Sequence, residues 1–161
     1  MSRPHHADVD AAAAAVEAWC EAQPDLAVER PGERTWATVL AGEQKRTIGV
    51  HLSVGANGLL VQSFFMAAPD EGRADVFAGL MRRHTRTYTC RFALDDRGDV
   101  LLVAVVPLPA VTVEEVDRTL GQLLSAADDA YPAALRSGFP SYIEREQTWR
   151  ESVGLPRNPI T

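Results

Sequence analysis

Hydrophobic and polar positions change period several times along this chain, and each change marks an element. Val9, Ala13, Val16 and Cys20, joined by Trp19, recur every three or four residues. That spacing predicts a helix starting near Asp8 or Asp10 and stopped by Pro24. A turn-rich link through Pro31 and Gly32 follows, and the period then shortens to two. The strand Thr35–Leu40 bears Trp36. In Thr47–Val54, Ile48, Val50, Leu52 and Val54 alternate with Thr47, Gly49, His51 and Ser53, the signature of a half-buried strand. Asn57-Gly58 supplies hairpin-turn chemistry, because both residues tolerate positive φ. The third strand, Leu59–Met66, is bulky on both sides: Leu60, Phe64 and Met66 on one, Leu59, Val61 and Phe65 on the other. One side must meet helices, which leaves the other for something else.

Helical spacing returns at Val76, Phe77, Leu80 and Met81. Pro69-Asp70-Glu71 opens that helix and Arg82, Arg83 and His84 close it, acids at the positive end and cations at the negative. Strands Tyr88–Leu94 and Val100–Val106 flank the acidic turn Asp95–Asp99, and the apolar run Val100 to Ala110 reads as a buried strand with its exit loop. Thr112-Val113-Glu114-Glu115 is a capping box for a helix with the stripe Val113, Val116, Leu120, Leu123, Leu124 and Ala127. Pro132 should bend or restart the chain and Gly138 end that piece. Ser141-x-x-Glu144 then caps a last helix carrying Tyr142, Ile143 and Trp149. The expected order is α-β-β-β-α-β-β-α plus a C-terminal helix, an α+β fold around a mostly antiparallel five-stranded sheet. No linker divides the 161 residues, so one domain is expected over residues 1–161, its core at about 8–152 and its termini mobile.

Composition narrows the function classes. With 46% hydrophobic and 24% charged residues the chain is neither disordered nor a disulfide scaffold. Its 16 basic residues, of which only Lys45 is a lysine, face 22 acidic ones, a net charge of −6 that argues against a nucleic-acid or membrane-surface binder. No leader-like apolar region or membrane span is visible, and a cytoplasmic location is expected. Cys20 and Cys90 sit in apolar patterns and read as buried thiols. His5-His6, His51 and His84 lack zinc-site spacing, so neither metal nor cofactor is expected. There is no G-x-S-x-G elbow and no phosphate-binding glycine loop, hence no candidate catalytic residue and no enzyme. One charge feature remains: Met81 to Arg91 holds Arg82, Arg83, Arg86 and Arg91 and no acid. It reads either as a patch for an anionic partner segment or as cations favouring a helix C-terminus followed by outward strand positions.

From about residue 30 to 150 the chain resembles the YbjN family, especially its actinobacterial members. The carriers are Pro69–Glu71, Arg82-Arg83, FALDDRGDVLLV at Phe92–Val103 and PLPAVTVEEVDRTLGQLL at Pro107–Leu124. Gly138-Phe139, the I-x-R-E-x-x-W-R ending at Arg150 and the hairpin GVHLSVGANGLLVQSF complete the match. Three positions depart from the family pattern: Gly72 stands where PDEN would place asparagine, His84 where RRN would, and Gln147 where a first tryptophan of the last helix would. The resemblance implies a fold similar to class I type III secretion chaperones (CesT-like). Those are small, acidic, cofactor-free homodimers that hold an extended partner segment on apolar surface. It also implies a peptide-binding, chaperone-like role or, alternatively, a sensory-transduction regulator binding a small ligand or signalling partner. Trp36, Leu60, Phe64 and Met66 are then the candidate peptide-binding positions, unless all four are core. Phe77, Met81 and Tyr88 are the dimer-interface candidates by analogy with the chaperones.

Overall fold

The computed structural model describes residues 6–159, with side chains from Asp8 onward; His5 and the side chain of His6 lie outside the described residues. Four helices and six strands follow one another as α1 (His6–Glu21), β1 (Val28–Gly32), β2 (Thr35–Leu40), β3 (Ile48–Gly55), β4 (Gly58–Met66) and α2 (Arg73–Arg83). Then come β5 (Cys90–Leu94), β6 (Val100–Val106), α3 (Val113–Gly138) and α4 (Pro140–Ser152), with short 3₁₀ turns at His84–Arg86 and Leu108–Ala110. The strands form a single antiparallel sheet in the order β1-β2-β3-β4-β6-β5.

The sixth strand is β1, which the hydrophobic pattern passes over. Its sequence, VERPG, is charged and carries Pro31, and it pairs with β2 on one side only, through Val28↔Thr38 and Glu29↔Ala37, before a register shift. Proline is tolerated there because an edge strand need not donate on its free side.

Helices α1 and α3 cover one face of the sheet. Ile48, Val50, Leu52 and Val54 of β3, Leu59, Val61 and Phe65 of β4, and Val100, Leu102, Ala104 and Val106 of β6 all point into that core. Phe65 meets Phe92 and Tyr131 edge-on, with ring centroids 5.1 and 5.9 Å away. The helices are also tied by polar pins. The Trp19 indole donates to Asp117 (3.0 Å) and the Trp36 indole to Glu17 (2.7 Å). The Arg30 guanidinium, and then the Trp36 indole, hold the Glu17 carboxyl below the usual range. Asp128 accepts from the backbone N–H groups of Gln44 and Lys45, both at 2.8 Å, so the β2–β3 loop is anchored on α3.

Several boundaries differ from the expected ones for local reasons. The hairpin turn uses positive φ only at Gly58 (136°), where a Cβ would lie 2.3 Å from the Val106 carbonyl oxygen; Asn57 keeps negative φ. Helix α2 begins after Gly72, whose left-handed φ of 57° ends the Pro69–Glu71 approach. Thr112 Oγ1 accepts from Glu115 N (3.1 Å), the cap read from the sequence. Helix α3 then runs through Pro132 without restarting, and α4 starts at Pro140, whose missing N–H suits a first helical turn, rather than at a Ser141 cap.

Candidate partner-binding surfaces

Among the described residues, no helix packs across the second face of the sheet, although α4 borders it at Phe64, which lines a cavity with Tyr142 and Ile143. Alternation alone places its residues. Gln62 stands opposite His51 and Val103, Leu60 opposite Ser53 and Val105, and Phe64 opposite Leu101. Val39 and Ala37 extend the face on β2, Arg91 and Ala93 on β5. Phe64 is 52% exposed and Val105 54%. The face is therefore an apolar field with polar interruptions at His51, Ser53, Gln62 and Arg91. A contiguous uncovered apolar patch of this kind marks an interaction site more often than an accident of composition.

This geometry divides the four candidate positions. Leu60 and Phe64 lie on the open face. Trp36 (4% exposed) and Met66 (3%) do not; they point into the core. Trp36 pairs with Leu52 on the covered side. For Met66 the cause is an irregularity between Phe64 and Met66 that sets Met66 opposite Val100, shifting the last residue of β4 across the sheet. The run Val100–Val106 is likewise not wholly buried, since Leu101, Val103 and Val105 complete the open face. Apolar residues at every position of β6 were the available signal, for they require both faces of a strand to be apolar.

At the far edge, α2 and β5 leave a second apolar surface. Phe77, Leu80 and Met81 face Phe92, Ala93 and Leu94 across a groove of about 260 Å³. Met81 is 67% exposed, while Tyr88 stands apart on the preceding loop, 84% exposed. The edge of β5 is partly closed by His84, whose Nε2 accepts the backbone N–H of Phe92 at 2.9 Å and whose ring stacks on Phe92. That acceptor role requires a neutral ring. Burial, and secondly the charge of Arg91, hold the His84 pKa below its ordinary value.

The four arginines of the acid-free stretch do not stay together. Arg91 turns back onto the carbonyls of Thr87 (3.1 Å) and Cys90 (2.7 Å). Arg83 and Arg86 instead line a cleft with Arg118 of α3, a residue that no sequence spacing connects to them, and Arg82 lies outside it. Cys20 and Cys90 are buried and unpaired, and burial pushes the Cys90 thiol up to about 11, far from nucleophilic use. Among the described residues, no three of His, Cys, Asp and Glu come together as metal ligands, and no helix is long and apolar enough to cross a membrane.

A family model described as "YbjN: Putative bacterial sensory transduction regulator" matches residues 12–136. The chain belongs to the YbjN family. Among YbjN relatives, the uncharacterised protein Rv0487 of Mycobacterium tuberculosis is 44% identical over 133 residues, covering 83% of this chain and 67% of its own. The uncharacterised protein ML2442 of Mycobacterium leprae is 36% identical over 135 residues, covering 84% and 68%. A chain of the heterodimeric ExoU–SpcU complex from the type III secretion system of Pseudomonas aeruginosa superposes with a TM-score of 0.54 at 17% identity, covering 73% of this chain and 95% of that one. A chain from the complex of the Yersinia pestis type III secretion chaperone SycH with a YscM2 fragment gives 0.47 at 14% identity, covering 72% and 96%. This YbjN chain therefore has the secretion-chaperone fold.

The departures from the YbjN pattern acquire local explanations. Asparagine and glycine both tolerate the left-handed backbone of position 72, but a Cβ here would meet the Ser137 carbonyl oxygen at 2.4 Å, so glycine fits best. His84 is the acceptor at the β5 edge. Gln147 is buried and grips the tail, its amide accepting from Asn158 N (3.1 Å) and donating to Asn158 O (3.3 Å).

Proposed function

We propose that this YbjN protein is a non-enzymatic, chaperone-like module that holds an extended apolar segment of a partner protein, and that it works as a homodimer. The observation that supports the first part is the uncovered sheet face, with Phe64 and Val105 half exposed towards opposite ends of the β4–β6 pair. An extended segment lying there would set alternate side chains among Leu60, Phe64, Leu101 and Val103, while His51 and Gln62 bond its backbone. The superposing chain from the ExoU–SpcU complex is one half of a heterodimer.

The test is suppression of aggregation of an unfolded model polypeptide. Wild type should delay aggregation, and Phe64→Asp, a surface change that spares the core, should abolish the delay. Full activity in Phe64→Asp would sink the reading.

The dimer is assigned to α2 and the β5 edge, where Met81, Phe77 and Leu94 offer unpartnered apolar area. Because His84 occupies the Phe92 N–H, contact between protomers would run through side chains more than through strand pairing. Sedimentation equilibrium should show a wild-type dimer and a Met81→Asp monomer; a monomeric wild type refutes it.

A second reading, a regulator sensing a small ligand, has its own supporting observation. A cavity of about 470 Å³ lies between the end of β4, α3 and α4, lined by Phe65, Met66, Tyr131, Leu135 and Phe139, with Lys45 at 4.6 Å over the Tyr131 ring. Native mass spectrometry showing a copurifying ligand in wild type and none in Leu135→Trp would favour it over the first.

A further inference from the structure

We propose that the cleft between the end of α2 and the middle of α3 is a binding site for a phosphate-bearing ligand. It is independent of the partner-holding surface and shares no residue with it. From α3, Arg118, Gln122, Ser125 and Asp129 project at three- and four-residue spacings and so lie along one side of the helix. Arg83, Arg86 and Thr87 face them across a space of about 480 Å³, enough for a small ligand.

The electrostatics are lopsided. Three guanidinium groups line the cleft against one carboxylate, Asp129, in a protein whose net charge is −6. Among the described residues, the side chains of Arg83 and Arg86 have neither an ion pair nor a hydrogen bond, and the Arg118 side chain is engaged only by Glu115 through one nitrogen. Like charges brought together from two elements, with only Arg118 paired, repel, and a compact anion between them relieves that repulsion.

Hydrogen-bond donors line the same cleft. Gln122 Oε1 is taken by the backbone N–H (3.1 Å) and hydroxyl (3.2 Å) of Thr89, which fixes the amide and leaves its NH₂ group to donate. Thr87 Oγ1 accepts from Arg91 (3.1 Å), leaving its O–H to donate, and Ser125 adds another hydroxyl. Gly121 keeps the floor open, since a Cβ there would touch nothing within 4 Å. A lining so rich in donors is wrong for a cation and suits a group that only accepts. The Arg fork matches two oxygens of an oxyanion, and a tetrahedral phosphate offers oxygens to three forks arriving from two directions, which a planar carboxylate does not.

Calorimetric titration at about 0.15 M salt, where diffuse surface attraction is largely screened, tests the site. Pyrophosphate and a short phosphoserine peptide serve as probes, with acetate as the planar control. Wild type should bind a probe saturably at one site. Binding should weaken at least tenfold in Arg83→Ala and in Arg118→Ala, and stay unchanged in Arg82→Ala, whose side chain lies outside the cleft; circular dichroism verifies the fold of each. Tighter binding of the peptide would mark the phosphate as carried on a protein, and tighter binding of pyrophosphate as part of a free small molecule. No saturable binding of either probe, equal binding of acetate, or an equal loss in Arg82→Ala would overturn the proposal.

Discussion

Phe64 and Phe65 are neighbours in one strand, yet one is 52% exposed and the other 1%. The covered face around Phe65 is packed on α1 and α3, and its polar members Ser63 and Thr38 spend their hydroxyls on backbone carbonyls. The open face around Phe64 breaks its apolar field with His51, Gln62 and Arg91. Both faces obey the same two-residue alternation, so alternation separates them without saying which one helices will cover. What tells them apart is the kind of polar residue: small hydroxyls bonded to the backbone under the helices, and large polar side chains on the open face, where they serve solubility and can bond a visitor's backbone.

The largest effect should come from pitting these two residues against each other. Phe65→Ala removes a ring packed on Phe92 and Tyr131 and should cost about 3–5 kcal/mol, whereas Phe64→Ala should cost less than about 1 kcal/mol. Denaturant unfolding of both variants decides; equal losses would mean the open face is covered in solution. The same contrast should hold one strand over, where Leu102→Ala costs about 2–5 kcal/mol and Leu101→Ala a minor fraction of that. A smaller effect is expected at Thr119, whose buried hydroxyl has no hydrogen-bond partner among the described residues. Thr119→Val should raise stability by about 1 kcal/mol, and a loss of that size would reveal a hidden partner.

The smallest effect is the pH dependence from His84. Its folded pKa lies below that of the unfolded chain, about 6.5, so its contribution is complete above that value and is lost as pH falls through the folded pKa. Unfolding curves between pH 7 and 5 should therefore decline more steeply in wild type than in His84→Gln, which keeps an acceptor for Phe92 but cannot take up a proton.

Much of this frame was legible in the chain. The alternation in Ile48–Val54 places β3 with its covered side correctly, and the Thr112 cap lies where the spacing put it. The secretion-chaperone-like α+β fold follows from the order of elements and the family motifs together. The misreadings have separate physical causes. β1 is held by backbone pairing, to which hydrophobic pattern is blind, and Glu29, Arg30 and Pro31 give it the look of a loop. Met66 crosses the sheet at an irregularity that no periodicity announces. Trp36 is large and apolar enough for a pocket, but its indole N–H finds Glu17 on α1, a contact set by tertiary packing. Arg118 joins Arg83 and Arg86 only because α2 packs on α3.

The irregularity near the end of β4 also bears on how such a strand can change length over generations. Sidedness in a strand is a parity, and one extra residue inverts it for everything that follows. Placed between Phe64 and Met66, the shift reverses a single side chain before the strand ends. Placed beside Gly58, it would put Phe64 in the core and Phe65 in solvent. Insertions and deletions inherited by relatives of this chain should therefore gather after Met66 and spare the hairpin at Gly55–Gly58.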